Sequence, residues 1–400
     1  MISYQEAISR LLNAACTLGK ERVSLDEATG RVLAEDVIAG ASMPAFDHSS
    51  MDGYALRQSD LQGEGPFEMR VVGESAAGGQ TPALSPNTAC RIFTGARLPE
   101  GADTVVPQEN VERNNGTITL RQTPKPGAWI RRRGADLTEG AVALRRGTRL
   151  LPGHTALAAA LDRPFLLVAR RPVITILCSG DELRSPGEPG PLGSIAESNG
   201  VFVAAAARQL GAIARVGAYV PDNLDIAREA VSEALRGSDL VVTIGGVSVG
   251  DHDVMRPAFE AAGVVLDFWR VAIKPGKPIA IGHLGKSHVL GLPGNPASAS
   301  LTWLLFGAPL VRALQGDETP MPARIRVEVM GSLQRQAGRE EFLRGRLELH
   351  GTNLRARILP NQASGAATSF AEANVLLVVP ANETRVDDGS VLEAIRLDAF

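Results

Sequence analysis

Residues 240–253 read LVVTIGGVSVGDHD, a short apolar run that ends in glycines, a serine and carboxylates. A run of this kind, bounded by turn residues, predicts a buried strand. The same pattern recurs in VITILCSGDE at 173–182, ARVGAYVPDN at 214–223 and HVLGLPGNPAS at 288–298. Helical segments lie between these runs, and such alternation predicts a parallel sheet covered on both faces. We therefore expect a doubly wound α/β domain over residues 171–316.

The segments on either side predict further domains. Ser3 and Glu6 have the spacing of a capping box, and apolar residues at helical spacing follow them over 3–18. Short β-like runs separated by Gly, Pro and Asn dominate the next part of the chain, and alternating apolar and polar residues dominate the last part. The expected fold class is a multidomain α/β chain with a mixed α/β N-terminal domain (1–43 and 149–170), an inserted mostly-β domain (44–148), the central domain (171–316) and a small C-terminal β-barrel (317–400).

Composition excludes several classes of function. The chain has 400 residues, of which 44% are hydrophobic and 21% charged, and its net charge is −3. This balance gives no basic field for nucleic acid or for an anionic membrane, so we expect neither as a partner. The three cysteines form no metal or disulfide pattern, and the N-terminus lacks the features of a signal peptide. The longest apolar stretch, near 301–310, is too short to span a bilayer. We therefore expect a cytoplasmic protein.

The turns that follow the predicted strands carry the candidate chemistry, because ligands bind at the carboxyl ends of the strands in an open parallel sheet. GGVSVG at 245–250 brings backbone N–H groups close to a ligand, as anion-binding nests do. The helix that opens at Asn295–Ser298 favours a phosphate or another oxyanion. Lys274 and Lys277 add positive charge. Hard oxygen groups that suit Mg²⁺ follow three strands: Glu182, Asp222 and Asp253. Together these features indicate phosphoryl or nucleotide chemistry assisted by a metal.

Each feature also has a purely structural interpretation. Glycine turns often only reverse the chain, Asp222 could cap the next helix, and the two lysines could lie in a solvated turn. GGVSVG lacks both the GK[ST] ending of a P-loop and the spacing of a dinucleotide site. The expected meeting of four turns at one edge favours a ligand site more than any single motif does.

The inserted β domain has candidate residues of its own. Asp52 lies in an Asp-Gly turn within MPAFDHSSMDGYALR at 43–57, beside polar and aromatic residues. Thr94 offers a hydroxyl at the end of a predicted strand, and Asp136 lies in a second glycine turn. Both carboxylates could instead only shape their turns.

These stretches resemble the MoeA family of molybdopterin molybdenumtransferases, which is also the gephyrin E-domain family. The resemblance covers essentially the whole chain, and ten matching motifs in order make it specific. They are MPAFDHSSMDGYALR, RIFTGARLPEGADTVV, PGAWIRRRGAD, SGDEL, ESNG, TIGGVSVGDHD, AIKPGKP, GLPGNPASA, EFLRGRL and SGAATSFAEAN.

The resemblance implies four domains, of which the third is similar to molybdopterin adenylyltransferase and the fourth is a small barrel. It implies an elongated homodimer whose active site is a cleft between the third domain of one subunit and the N-terminal module of the other. The implied reaction takes adenylyl-molybdopterin and molybdate, depends on Mg²⁺ and releases AMP. Further implied partners are molybdopterin adenylyltransferase and proteins that mature molybdoenzymes.

The resemblance also assigns roles to residues. Family functional positions fall on Asp52, Thr94, Asp136, Glu182, Asp222 and Asp253, with metal binding expected at Glu182, Asp222 and Asp253. Molybdate and phosphate contacts fall on Lys274, Lys277, Ser298 and Arg344, and the barrel adds a hydroxyl from Ser364 or Ser369. The strand-end turns supply the rest of the substrate site: Gly245, Gly246, Ser248, Gly250, Pro293, Gly294, Asn295 and Pro296.

Two departures from the family pattern and two alternatives stay open at this point. The Glu-Ala-Asp-Tyr that follows GGVSVG in the bacterial pattern is here Asp251-His252-Asp253-Val254, and Asp-Thr-Asn is here Glu197-Ser198-Asn199. The first alternative function is adenylylation of molybdopterin, although the extra modules speak against it. The second is a gephyrin-like scaffold without catalysis.

Overall fold

The computed structural model describes residues 1–246, 254–351 and 353–400, apart from the side chain of Trp269. The chain forms two compact units. The first comprises residues 1–35, 146–155 and 165–400, and the second comprises 36–145 and 156–164.

The first helix begins where the capping box predicts. Helix α1 covers Tyr4–Ala14, and the Ser3 hydroxyl accepts a hydrogen bond of 3.1 Å from the Glu6 backbone N–H, which confirms the N-cap. The other α-helices are α2 Leu25–Ala28, α3 Pro152–Ala160, α4 Asn199–Gln209, α5 Leu224–Arg236, α6 Met255–Ala261, α7 Pro296–Thr302, α8 Ala308–Leu314 and α9 Ala367–Glu372.

A six-stranded sheet forms the centre of the first unit. Its strand order is Ile213–Val216, Val173–Cys178, Leu240–Ile244, Ser287–Leu292, Pro278–Leu284 and Val265–Arg270. The first four strands are parallel, as the sequence predicts. The last two are antiparallel and have no counterpart in the sequence prediction, which expects a purely parallel sheet.

Helices cover both faces of this sheet, which confirms the doubly wound fold class. Ile174 and Val242 face one side, where they pack with α4, α7, α8 and α1. Val241 and Val289 face the other side and pack with α5 and α6. The alternation follows from the strand period of two, which sends successive side chains to opposite faces.

The most apolar helical segment runs through the core of the first unit. It extends over Pro296–Leu314, because a π-helical turn at Trp303–Gly307 joins α7 to α8. Its 19 residues and mean hydropathy of 1.3 would suffice for a membrane span. The segment is longer than the apolar stretch near 301–310 that the sequence indicates. However, 89% of it is buried inside the protein, which is the environment of a core helix.

The C-terminal strands close into the predicted barrel. The barrel strands are Arg324–Met330, Glu340–His350, Asn353–Ile358, Val375–Val379 and Val391–Arg396. Each of these strands pairs with a neighbour on both sides. Glu340–His350 closes the barrel, since it pairs with Val375–Val379 as well as with Asn353–Ile358. Closure leaves no unpaired edge among these five strands.

The N-terminal segment pairs with the segment that follows the second unit in the chain. Strand Lys20–Ser24 pairs antiparallel with Phe165–Ala169. The second unit holds a six-stranded sheet with the order Thr104–Pro107, Gly53–Leu56, Thr88–Ile92, Phe67–Ser75, Thr117–Leu120 and Val111–Asn114. Strand Gly53–Leu56 lies where the sequence indicates only a loop. The pairing at Lys20–Ser24 agrees with an insertion, whereas the exact domain boundaries stay a prediction.

Candidate functional site

The turns after the parallel strands meet around one cavity of about 560 Å³. The cavity lies at the carboxyl edge of the central sheet, where ligands bind in open α/β sheets. The described residues that line it are Cys178, Ser179, Gly180, Glu182, Leu183, Ile195, Ala196, Glu197, Ser198, Asn199, Asp222, Ile244, Gly245, Gly246, Pro278, Pro293, Gly294, Asn295 and Pro296. The structure therefore brings together Glu182, Asp222, the first glycines of GGVSVG and the Pro293–Pro296 turn.

Close backbone contacts build the floor of this cavity. Gly245 has a φ of +87°, and a Cβ at this position would lie 2.5 Å from the Ser179 carbonyl oxygen. A Cβ on Gly294 would lie 3.6 Å from the Gly245 Cα. Only glycine fits at Gly245, so three strand ends can approach closely at this point.

Carboxylates are the only charged side chains among the described lining residues. Glu182, Glu197 and Asp222 line the cavity, and no described lining residue is a lysine or an arginine. The Ser179 hydroxyl donates to the Asp222 carboxylate at 3.5 Å, and the Asp222 backbone N–H donates to Asp181 at 3.2 Å. Within the described ranges, no three acidic, histidine or cysteine side chains converge closely enough to hold a metal by themselves. Ser248, Gly250 and Asp253 lie outside the described residues.

The turn before α7 contacts the barrel. The Ala297 backbone N–H, in the first turn of α7, donates to the Ser364 carbonyl at 2.9 Å. Ser298 is buried on the same helix, and its carbonyl accepts from the Thr302 hydroxyl at 2.7 Å. The barrel loop at Ser364 thus lies against the helix terminus that the sequence predicts as an oxyanion site.

The two predicted lysines have different surroundings. The ammonium of Lys274 pairs at 2.9 Å with Glu341, a buried carboxylate that also pairs with Arg335 at 2.7 Å. Lys277 is exposed and directly precedes Pro278, which lines the cavity. Lys277 itself is not among the described lining residues, so it is placed near the cavity only by its position in the chain, whereas Lys274 is engaged by the barrel.

Arg344 is fully buried in the barrel, and part of its guanidinium has no partner. Its Nε donates to the Ser369 hydroxyl at 3.1 Å and its Nη2 to the Ala363 carbonyl at 3.0 Å. Nη1 is buried without a hydrogen-bond partner in the described structure. Burial lowers the pKa of Arg344. The Ser369 hydroxyl also donates to Ala366 at 2.6 Å, so this hydroxyl is already used inside the barrel, while Ser364 is half-buried.

The second unit brings its predicted residues into two polar contacts. Asp52 accepts from the Thr94 backbone N–H at 2.8 Å and from the Thr94 hydroxyl at 2.7 Å. These two bonds hold the pKa of the exposed Asp52 carboxyl below its ordinary value. Asp136 accepts from Arg131 at 2.5 and 2.6 Å. Asp52 is therefore held as a carboxylate beside a hydroxyl.

Three family models together match most of the chain. Residues 2–161 match the MoeA N-terminal region (domains I and II), 175–313 match a probable molybdopterin binding domain, and 326–397 match the MoeA C-terminal region (domain IV). The chain belongs to the MoeA family. The cavity thus lies in the part of this MoeA-family chain that matches the molybdopterin binding domain.

Full-length relatives agree with this membership. The chain is 35% identical to the molybdopterin molybdenumtransferase of Haemophilus influenzae, with 100% of this chain and 99% of the relative covered. It is 32% identical to the enzyme of the same name from Bacillus subtilis, with 98% and 94% covered. Its fold is similar to the solved molybdopterin biosynthesis MoeA protein of Pyrococcus horikoshii, with 28% identity, a TM-score of 0.87, and 99% and 100% of the chains covered.

Sequence reasoning did not select Cys178, Glu197 or Asn199 as site residues, although all three line the cavity of this MoeA-family protein. The available signal was the position of Glu197 three residues before Gly200 at the start of α4. The Glu197 carboxylate accepts from the Gly200 backbone N–H at 2.6 Å. Burial and the neighbouring Glu197 raise the pKa of the Cys178 thiol, so this cysteine stays protonated.

Proposed function

We propose that this chain is a molybdopterin molybdenumtransferase that inserts molybdate into adenylyl-molybdopterin and releases AMP. The observation that carries the proposal is the acidic cavity at the carboxyl edge of the central sheet, inside the matched molybdopterin binding domain. Full-length similarity to proteins of that name supports it.

The chemistry of the cavity fits Mg²⁺ as a cofactor. The substrate carries a pyrophosphate link, and two anionic groups cannot share a cavity unless a cation balances them. The described lining offers carboxylates and no basic side chain. Glu182 and Asp222 would hold the ion, with Asp253 as a third predicted ligand, and substrate oxygens would complete its oxygen shell. When bound, Mg²⁺ neutralises charge on the phosphates as AMP leaves.

Molybdate is a tetrahedral dianion, and we assign its binding to cationic groups beside the cavity and in the barrel. Arg344 has a buried N–H without a partner, which an oxyanion would satisfy. Lys277 is exposed next to the cavity-lining Pro278. Lys274 can contribute only by sharing its charge with Glu341. Ser298 lies in the first turn of α7, where backbone N–H groups favour anions, and Ser364 of the barrel loop contacts that turn through its carbonyl.

The residues of the second unit would orient the substrate. Asp52 stays ionised because Thr94 donates two hydrogen bonds to it, so it can accept from substrate N–H or O–H groups but cannot act as an acid near neutral pH. Asp136 pairs with Arg131, and its carboxylate oxygens would likewise accept hydrogen bonds from the substrate.

The deciding experiment is AMP release from adenylyl-molybdopterin, with Mg²⁺ and molybdate omitted in turn. Release that requires both ions is the expected result. Consumption of ATP with free molybdopterin would instead identify the adenylyltransferase activity. A bound but intact substrate would identify a scaffold and contradict the proposal.

We also propose that the chain is a cytoplasmic homodimer that exchanges substrate and product with molybdopterin adenylyltransferase and with molybdoenzyme maturation proteins. The water-soluble substrate chemistry and the burial of the most apolar helix inside the protein support this location. Sedimentation equilibrium would test the dimer directly, because the predicted mass of one chain is 42.1 kDa.

A further inference from the structure

Two cavity residues join helix α4 to the opposite wall. The Asn199 side-chain Nδ2 donates to the Gly294 carbonyl at 2.7 Å, and Gly294 belongs to the turn before α7. Asn199 is the first residue of α4. This bond therefore connects the start of one helix directly to the turn that begins the other, and both ends of the bond line the cavity.

The bond also fixes which way the Asn199 amide faces. A carbonyl oxygen can only accept, so the atom that meets Gly294 must be the amide nitrogen. The other amide atom, Oδ1, is then left as an acceptor. A freely rotating amide could offer a ligand either a donor or an acceptor, whereas the Asn199 amide offers only the acceptor Oδ1.

Glu197 holds Asn199 in place from the other side. Ser198 is the N-cap residue of α4 but makes no side-chain cap bond. Glu197 takes this role, because its carboxylate accepts from the Gly200 N–H at 2.6 Å. It is only 5% exposed. Glu197 Oε1 thus accepts from the Gly200 N–H at the start of α4, and Glu197 is at the same time one of the residues that line the cavity.

This corner of the cavity is closely packed around Gly200. A Cβ on Gly200 would lie 2.7 Å from the Cys178 sulfur and 3.0 Å from the Glu197 carboxylate. Cys178 ends the central strand Val173–Cys178, so the start of α4 is held against the sheet. Glu197 thus contacts the start of α4, and Asn199 connects it to the Pro293–Pro296 turn.

We infer that Glu197 and Asn199 are positioning residues that fix the width of the cavity for the nucleotide part of the substrate. Asn199 additionally presents Oδ1 to an N–H donor of a heterocyclic base. This inference rests on the proposed function, since AMP is the leaving group of that reaction. Glu197 acts through its hydrogen bond, so its charge is not required.

The test measures AMP affinity of the full-length protein by calorimetry in the presence of Mg²⁺. Asn199→Ala should weaken AMP binding about tenfold, because the variant loses the hydrogen bond to Gly294. A tenfold change in Kd corresponds to roughly 1.4 kcal/mol of binding free energy. Asn199→Asp should weaken binding at least as much despite its equal size, because a carboxylate oxygen cannot donate to Gly294. The KM for adenylyl-molybdopterin should rise in parallel.

Glu197 provides the conservative rescue. Glu197→Gln keeps the acceptor for Gly200 and should bind AMP within about twofold of the unchanged protein, whereas Glu197→Ala should lose about tenfold. The matched control is Gln315→Ala, which removes a buried amide that donates to the Leu210 carbonyl at 3.0 Å in the same unit but does not line the cavity. It should leave AMP affinity unchanged.

The failures of the two proposals are distinguishable. Folded Asn199 variants that bind AMP as well as the unchanged protein would overturn the positioning role and leave the proposed function intact. A loss of AMP binding in Glu197→Gln would overturn the claim that the charge is dispensable. If the unchanged protein neither binds nor releases AMP, the proposed function itself fails.

Discussion

At the scale of single residues, Glu182 is the sharpest test of the site. Its carboxylate lines the cavity and lies over Gly180, where a Cβ would be 2.4 Å from Glu182 Oε2. We expect Glu182→Ala to reduce the rate of AMP release by about a hundredfold or more, the usual scale for a charged group that acts on the reacting phosphates. Glu188→Ala, an exposed residue outside the cavity, is the control. Full activity in Glu182→Ala would show that the site lies elsewhere.

Thr94 makes a second prediction at this scale. Asp52 has a pKa below its ordinary value of 3.8 because the backbone N–H and the hydroxyl of Thr94 both donate to it. Thr94→Val keeps the first bond and removes the second, so the pKa of Asp52 should rise toward 3.8. A folded-state pKa below the unfolded one adds stability above the unfolded pKa, and this stability is lost as the pH falls through the folded value. Carboxyl NMR titration of both proteins measures the shift directly; identical midpoints would contradict the contact.

At the scale of elements, the π-helical turn at Trp303–Gly307 depends on its glycine. A Cβ on Gly307 would lie 2.2 Å from the Trp303 ring, which is fully buried. Gly307→Ala should therefore lower the free energy of unfolding by about 1–3 kcal/mol, the usual effect of overpacking a core. Gly153→Ala in α3 is the control, because its Cβ would meet nothing within 4 Å. Urea denaturation measures both variants, and equal midpoints would refute the packing argument.

The sequence predicts elements well where one period dominates. The capping box and the helical spacing predict a helix within 3–18, which is observed at Tyr4–Ala14, and the barrel strands lie where alternation indicates them. Strands Val265–Arg270 and Pro278–Leu284 were missed, because their surroundings contain the Lys-Pro-Gly-Lys-Pro turn and no regular period. Strand Gly53–Leu56 was missed for a similar reason, since its four residues are all buried and show no alternation.

The site, too, has a part that the sequence predicts and a part that it does not. The meeting of Glu182 and Asp222 could be predicted, because topology alone brings strand ends to one edge. The ion pair of Lys274 with Glu341 could not, and neither could the use of the Ser369 hydroxyl by Arg344. The first contact joins the central domain to the barrel and the second joins two segments of the barrel that are 25 residues apart, and no local pattern records a partner at such a distance along the chain. Asn199 was missed because its carbonyl partner is backbone and leaves no mark on the sequence.

At the scale of the whole molecule, the 36–145 part of the second unit should be separable. Within the first unit, Leu33 and Thr148 lie side by side, because the Leu33 N–H donates to the Thr148 carbonyl at 3.0 Å. A short Gly/Ser linker from Glu35 to Arg146, replacing 36–145, should therefore leave the central sheet folded and AMP binding intact. AMP release should be lost, because Asp52, Thr94 and Asp136 are gone. Full-length Asp52→Ala is the comparison, and an active deletion variant would exclude these residues from the reaction.

The pairing of Lys20–Ser24 with Phe165–Ala169 has a consequence for the order of synthesis. On the ribosome, the partner strand emerges long after Lys20–Ser24, and Leu310 and Leu314, which pack against Ile8 and Leu11 of α1, emerge later still. The module at 36–145 has a core of its own and can fold while the rest is being made. The apolar face of α1 is then uncovered until these later segments have been made. Helix α1 thus precedes its native neighbours by about 300 residues of synthesis, and its apolar face would be a target for a nascent-chain chaperone.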